Sequence, residues 1–198
     1  MPNTSFSNCC ARFLEDPLAA VKVLVPSVAI EIVLHKKLWQ KTSLRDLTLY
    51  LAIVNTYWFA TTLNLSFLET PLFLQSPHLS DQQKLDCGRQ RFNWLNKIEI
   101  VVGVLGLDLY CEWRKRIIDN NGFVDGVLAR SIWIPAAVTA IQAVYLLPTL
   151  NKKAKQIDRT GHEDEQFPKA HRAYIGFETA KVVGLAVAGL RFGRMLTL

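Results

Sequence analysis

Hydrophobic and polar positions fall into a few long blocks along this chain. Residues 47–66 (L-T-L-Y-L-A-I-V-N-T-Y-W-F-A-T-T-L-N-L-S) and 131–150 (S-I-W-I-P-A-A-V-T-A-I-Q-A-V-Y-L-L-P-T-L) contain no charged residue. At about 1.5 Å per residue, a helix of that length matches a hydrocarbon core about 30 Å thick. Two further apolar blocks, 94–112 and 171–190, hold a few ionisable residues each. The pattern predicts an all-α membrane bundle with four crossing helices, near 47–67, 94–113, 130–150 and 171–191. A soluble helix of similar length would carry a face rich in charge, which the charge-free blocks lack.

The polar residues inside these blocks follow the helical period. At about 100° per residue, Asn96, Glu99, Gly103 and Gly106 fall on one face of the second block, and His171, Tyr174, Glu178 and Lys181 on one face of the fourth. In the first block Asn55, Thr62 and Ser66 form a stripe that ends on Glu69. A charge at a helix centre costs about 2.5–3.5 kcal/mol on insertion scales, so Glu178 and Lys181 require polar partners. The face of Asn96 and Glu99 offers them, with Gly103 and Gly106 allowing close backbone approach. Counted from the ends of their blocks, Glu99 and Lys181 would differ in depth by roughly 7 Å. The alternative pairs Lys181 with Glu178 one turn away, and Glu99 with Tyr174 or His171. The candidate polar cluster is therefore Glu69, Asn96, Glu99, His171, Tyr174, Glu178 and Lys181.

Between the blocks, punctuation sets the expected boundaries. Residues 17–34 are apolar but interrupted by Lys22, Pro26 and Glu31. Lys22 and Glu31 lie on opposite faces, which favours a broken amphipathic helix at the membrane surface or packed on the bundle, with a fifth crossing as the alternative. The chain thus divides into an extension, 1–44, and a four-helix domain, 45–198. Trp39 among the basic residues 35–41 reads as an interfacial anchor. Pro71 should end the first crossing helix, and 76–92 and 151–169 read as polar loops. Asp108 falls off the polar face and is expected to snorkel, or to pair with Arg114 or Lys115. Ala136 and Ala140 make a small-residue face suited to helix contact or to a homo-oligomer.

Composition narrows the function classes. Half the residues are hydrophobic and a fifth are charged, against about a quarter in soluble domains. The net charge of +6 is scattered over loops, which suits anionic lipid headgroups better than nucleic acid. Basic residues divide almost evenly between the two sides, so orientation stays open. The location is an integral membrane, with endomembrane or plasma membrane favoured and the mitochondrial inner membrane as the other option. The cysteines, Cys9, Cys10, Cys87 and Cys111, form no C-x-x-C pair and no disulfide framework. Cys9 and Cys10 stand where S-acylation could act. No nucleotide loop, zinc-protease motif or nucleophile motif is present, so no cofactor, metal or catalytic residue is expected. Gly161-His162-Glu163-Asp164-Glu165 reads as a solvated acidic loop rather than a metal site.

Three functions compete for the polar cluster. It can be structural, holding helices together. It can be a proton or ion path, because Glu99 and Glu178 face a single Lys181. It can serve a membrane-embedded enzyme acting on a lipid, with His171 and a carboxylate as acid and base. The first is favoured, and the balance leans away from an enzyme.

Residues 58–112 resemble a family of small bacterial four-span membrane proteins of uncharacterised function. The resemblance rests on Phe67-Leu68-Glu69-Thr70-Pro71-Leu72, Gln75-Ser76-Pro77, Gly88-Arg89 and Leu95-Asn96-Lys97-Ile98-Glu99, and continues more loosely through His171, Tyr174, Glu178 and Lys181. It covers roughly residues 45–190 and implies a fold and a membrane location, without an activity. Where that family has a glycine-rich loop, this chain has His78-Leu79-Ser80-Asp81-Gln82-Gln83. A looser likeness to other small four-helix families implies that Pro148 closes the third crossing helix before a charged loop.

Overall fold

The computed structural model describes residues 13, 14, 16, 18–160 and 166–197, and these are helical with no strand among them. Helix α1 spans Ala19–Lys37, and a 3₁₀ turn, Trp39–Lys41, leads to α2, Leu44–Leu63. A π-helical turn, Asn64–Glu69, carries α2 on into the short α3, Thr70–Leu74. Helix α4 covers Asp81–Asp119 and α5 covers Gly126–Ile141. A second π turn, Gln142–Leu146, joins α5 to α6, Leu147–Thr160, and α7 covers Gln166–Met195.

Capping chemistry explains where several of these helices start. Ser43 caps α2 by accepting from the Asp46 N–H at 3.1 Å. Ser80 and Gln83 form a reciprocal capping box on α4, with bonds of 2.9 and 3.2 Å. That box starts α4 at Asp81, so most of the stretch 76–92 is helix rather than the expected loop. The stretch 151–169 is likewise helical up to Thr160 and again from Gln166. The acidic residues 161–165 between them lie outside the described residues, as do Cys9 and Cys10.

The prolines behave differently from expectation. Pro71 and Pro148 do not end their helices. Each follows a π turn, whose extra residue per turn shifts the carbonyls that a proline ring would otherwise strike. Thr70 Oγ1 also donates to the Leu65 carbonyl at 2.6 Å. The expected break at Pro26 does not occur, and α1 runs through it. Pro135 lies inside α5 and cannot bond the Ser131 carbonyl. Gly184 of α7 sits against that carbonyl and the Pro135 ring, where a Cβ would come within 3.3 and 3.0 Å.

Consecutive long helices alternate in direction, and cross-helix contacts fix the register. Thr48 meets Trp113 and Thr62 meets Glu99, so α2 runs antiparallel to α4. Asn93 meets Asn151 and Asn96 meets the Thr139 carbonyl, so α5 and α6 also run antiparallel to α4. Phe92 packs on Tyr174 and Trp113 on Phe192, so α7 runs parallel to α4. Helix α1 is parallel to α4 as well. Ala20 and Lys97 share one cavity near its start, and His35 Nδ1 bonds Asp108 Oδ1 at 2.8 Å near its end.

The larger apolar core, including Leu47, Leu51, Leu109, Trp113, Ile132 and Phe192, fills one end of the bundle. A smaller one of Leu146, Leu147 and Tyr174 fills the other. The outer surface is also apolar: Ile53, Tyr57, Val101, Trp133, Val144 and Val183 are all exposed. Two helical stretches, Gly126–Ala154 and Pro168–Met195, are long and apolar enough to cross a membrane.

Candidate functional site

The polar side chains of four helical segments converge between the two apolar cores. Lys181 of α7 is the centre. Its Nζ lies 2.8 and 2.7 Å from the two carboxylate oxygens of Glu99 on α4. It also lies 2.6 Å from Gln142 Oε1 and 2.9 Å from Glu178 Oε1. Gln142 belongs to the π turn after α5, and its amide nitrogen donates to Glu178 Oε1 at 2.8 Å. Helix α2 and its π turn close the ring. Thr62 Oγ1 and Trp58 Nε1 donate to Glu99 Oε1 at 2.9 and 3.2 Å, and Ser66 Oγ donates to Glu178 Oε2 at 3.2 Å. Glu99, Gln142, Glu178 and Lys181 are each no more than 1% exposed.

An ammonium with three N–H groups here meets four acceptor oxygens, and every oxygen of both carboxylates has a donor. Such saturation is what makes a buried ion pair tolerable, because desolvation of each charge must be offset by geometry and extra hydrogen bonds. Two carboxylates around one ammonium still leave the cluster one positive charge short. A proton held within the cluster would balance it.

The register that brings these residues together follows from helix lengths. Glu99 and Lys181 lie at the middle of α4 and α7 respectively, since α4 begins at Asp81 rather than near residue 94. The expected depth offset between them is therefore absent. Gly103 and Gly106 serve a different neighbour from the one expected. A Cβ on Gly103 would lie 3.1 Å from the Trp58 ring, and one on Gly106 would lie 3.4 Å from Val54. They seat α2, not α7, and Gly103 leaves the space from which Trp58 reaches Glu99.

Three of the seven expected residues, Glu99, Glu178 and Lys181, form the cluster. Tyr174 is buried at its edge, with its hydroxyl facing Glu178. Asn96 is buried on the Glu99 face but turns to the Thr139 carbonyl at 3.4 Å, leaving its Oδ1 unpaired. Glu69 is not part of it. The π turn rotates Glu69 outward, where Asn64 donates to it at 2.6 Å and Arg91 lies 3.9 Å away. His171 is half-buried one helical turn beyond Tyr174 and lines a separate cleft. Gln142, Trp58 and the direct roles of Thr62 and Ser66 went unread. An amide inside a charge-free block was the signal for Gln142.

A second polar group fastens α1. Its His35 bonds Asp108 and sits 3.7 Å from Glu112 Oε2, while Glu31 Oε2 accepts from Trp39 Nε1 at 3.1 Å. Asp108 therefore pairs with His35, not with Arg114 or Lys115. Glu112 accepts from Arg116 at 2.7 Å, and the Arg116 guanidinium holds the carbonyls of Trp39 and Thr42. On the outer face, Lys22 pairs with Asp16, whose carboxyl that bond and the Leu18 N–H hold below its ordinary value. Lys22 and Glu31 are thus satisfied on different sides of one helix.

Within the chain, Ala136 is half-buried and Ala140 exposed. With Leu24, Gly103 and Thr139 they line a cavity of about 230 Å³ that reaches Glu99. Among the described residues no group of three or more potential ligands could hold a metal ion. No protein family profile matches the chain, and no curated protein or solved structure is significantly similar to it.

Proposed function

We propose that this chain is a small multi-pass integral membrane protein whose buried Glu99–Lys181–Glu178–Gln142 cluster is a structural lock at mid-membrane depth. One observation carries the membrane reading: a fully buried charged cluster lies midway between the two apolar cores, while large apolar side chains cover the outer surface. Lys181 is fully buried while Val144 and Val183 stand 79% and 58% exposed. The crossing elements are α2 with its extension, α4, α5 with α6, and α7. Helix α1 lies along α4 and presents Val21, Val25, Ile32 and Val33 outward, which favours a fifth crossing over a surface helix. At about 1.5 Å per residue its 19 residues reach about 28 Å.

Complete hydrogen bonding of the cluster supports the structural role. In lipid, where apolar surfaces gain little by meeting each other, polar bonds between helices fix the arrangement. A proton-path reading is favoured by one further observation, the missing positive charge beside two carboxylates.

Cysteine accessibility tests the membrane reading, in a background lacking Cys9, Cys10, Cys87 and Cys111. Single cysteines at Ile53, Val144 and Val183 should resist aqueous maleimide in membranes and react once the protein is in denaturant. Rapid aqueous labelling of all three in membranes would refute it. Glycosylation sites at residues 5 and 195 should report opposite sides if α1 crosses. Liposomes loaded with a pH-sensitive dye separate lock from path. The lock predicts equal, negligible proton flux for wild type, Glu99→Gln and Glu178→Gln, whereas flux abolished in both folded variants would establish the path.

A further inference from the structure

We infer that the cavity between the start of α1, α4 and the beginning of α6 binds a phosphate dianion, the chemistry shared by a lipid phosphate monoester and free phosphate. The cavity is about 250 Å³, and Lys97 and Lys152 line it. A water molecule's share of liquid volume is about 30 Å³, so the space holds a phosphate group with part of its ester. Lys97 carries the inference. It is 7% exposed, and among the described residues no ion pair or hydrogen bond holds its ammonium. Lys181 is also buried, but its ammonium meets four acceptor oxygens. A buried ammonium without an anion is costly. Lys97 lies about 200° around α4 from Glu99, so the central cluster does not serve it.

Local geometry sends that ammonium into the cavity. Helical side chains lean back toward the N-terminus of their helix, so Lys97 reaches along α4 toward Asn93, one turn earlier. Asn93 lines the same cavity and is paired with Asn151 of α6 through amide bonds of 3.1 and 3.0 Å. That pairing fixes the wall and leaves one N–H of the Asn151 amide unused by it. Lys152 follows Asn151 and is exposed, which places its charge at the mouth.

Charge narrows the anion. Asp16 also lines the cavity, but Lys22 and the Leu18 N–H hold its carboxylate. With Lys22 answering Asp16, Lys97 and Lys152 supply two positive charges. A phosphate monoester carries about −1.5 to −2 near neutral pH and matches them, whereas a phosphodiester brings a single charge. Ala20, Ala143 and Leu147 add apolar wall beside the lysines, which suits the ester side of a lipid phosphate. The cavity stands where the charge-free block 131–150 gives way to Asn151 and Lys152, the depth of headgroups in a bilayer. Binding here does not rest on the Lys181 cluster.

The test is calorimetric titration of the full chain, in uncharged detergent and phosphate-free buffer, with dihexanoyl phosphatidate, a soluble phosphate monoester. Wild type should bind one per chain. Lys97→Gln and Lys152→Gln should each bind at least tenfold more weakly at unchanged helix content. If Lys97→Gln misfolds, Lys152→Gln, at an exposed position, decides. Lys115→Gln removes the same charge from an exposed position near the other end of α4 and should bind as wild type does. Dihexanoyl phosphatidylcholine, a phosphodiester on the same acyl chains, should bind at least tenfold more weakly than phosphatidate. Inorganic phosphate separates the two sources. Displacement at equal concentration assigns the site to free phosphate, and failure to displace assigns it to a lipid headgroup. No binding by wild type, an equal loss in Lys115→Gln, or equal affinity for the phosphodiester would overturn the inference. Binding that appears only in Asp16→Asn or Glu15→Gln would also overturn it, because the chain would then supply its own anion.

Discussion

Lys181 on α7 clasps both carboxylate oxygens of Glu99 on α4, at 2.8 and 2.7 Å, across 82 positions of sequence. Each residue sits at the middle of its helix, and both side chains are no more than 1% exposed. Their contact links two parallel helices that other long helices separate in sequence, and it sets the register of both.

Gln142 should matter as much as the charged residues. It accepts from Lys181 at 2.6 Å and donates to Glu178 at 2.8 Å, so it orients both. Gln142→Leu should destabilise the bundle by about 1–3 kcal/mol, the cost of leaving buried partners unsatisfied. Thermal unfolding in detergent checks this. A melting temperature equal to wild type would mean that the amide is dispensable.

Gly103 should tolerate no large side chain, since a Cβ there already approaches the Trp58 ring at 3.1 Å. Gly103→Leu should displace Trp58 from Glu99 and cost about 1–3 kcal/mol through overpacking. By contrast, Gly176→Ala meets open space and should stabilise α7 by about 0.5–1 kcal/mol through helix propensity. Paired unfolding measurements on the two variants test both signs. A neutral Gly103→Leu would mean that α2 and α4 pack more loosely than described.

His35 should govern how firmly α1 is docked. It bridges α1 to Asp108 and Glu112 of α4, and α1 buries only Ala19 fully along its length. His35→Leu should leave α1 helical but raise amide exchange across residues 19–37, with exchange in α7 unchanged. Identical exchange in both helices would show that apolar contacts alone hold α1.

The cluster was legible in the sequence where periodicity carried it and illegible where it did not. Glu99, Glu178 and Lys181 share faces at the helical period, and two buried charges of opposite sign must find each other. Gln142 stands alone among apolar residues, so no face marked it. The extent of α4 was hidden because a polar stretch without hydrophobic periodicity resembles a loop, although the Ser80 and Gln83 capping pair was there to read. Glu69, Pro71 and Pro148 were misjudged for a common reason. A π turn before each proline lets the helix continue, and the first of these turns also carries Glu69 off the inward face. Asp108 was assigned a basic partner on its own helix, while its partner His35 is 73 positions away.

The most direct test of the lock is a double-mutant cycle on Glu99→Gln and Lys181→Met, read by equilibrium unfolding in mixed micelles. Lys181→Met alone leaves two carboxylates buried without a cation and should be the more severe change. Glu99→Gln alone leaves Glu178 to balance Lys181 at 2.9 Å and should be milder. The account predicts that Lys181→Met costs clearly less when Glu99 is already Gln, with a coupling of about 0.5–3 kcal/mol. Additive costs within error would contradict it and would assign Lys181 to Glu178 alone.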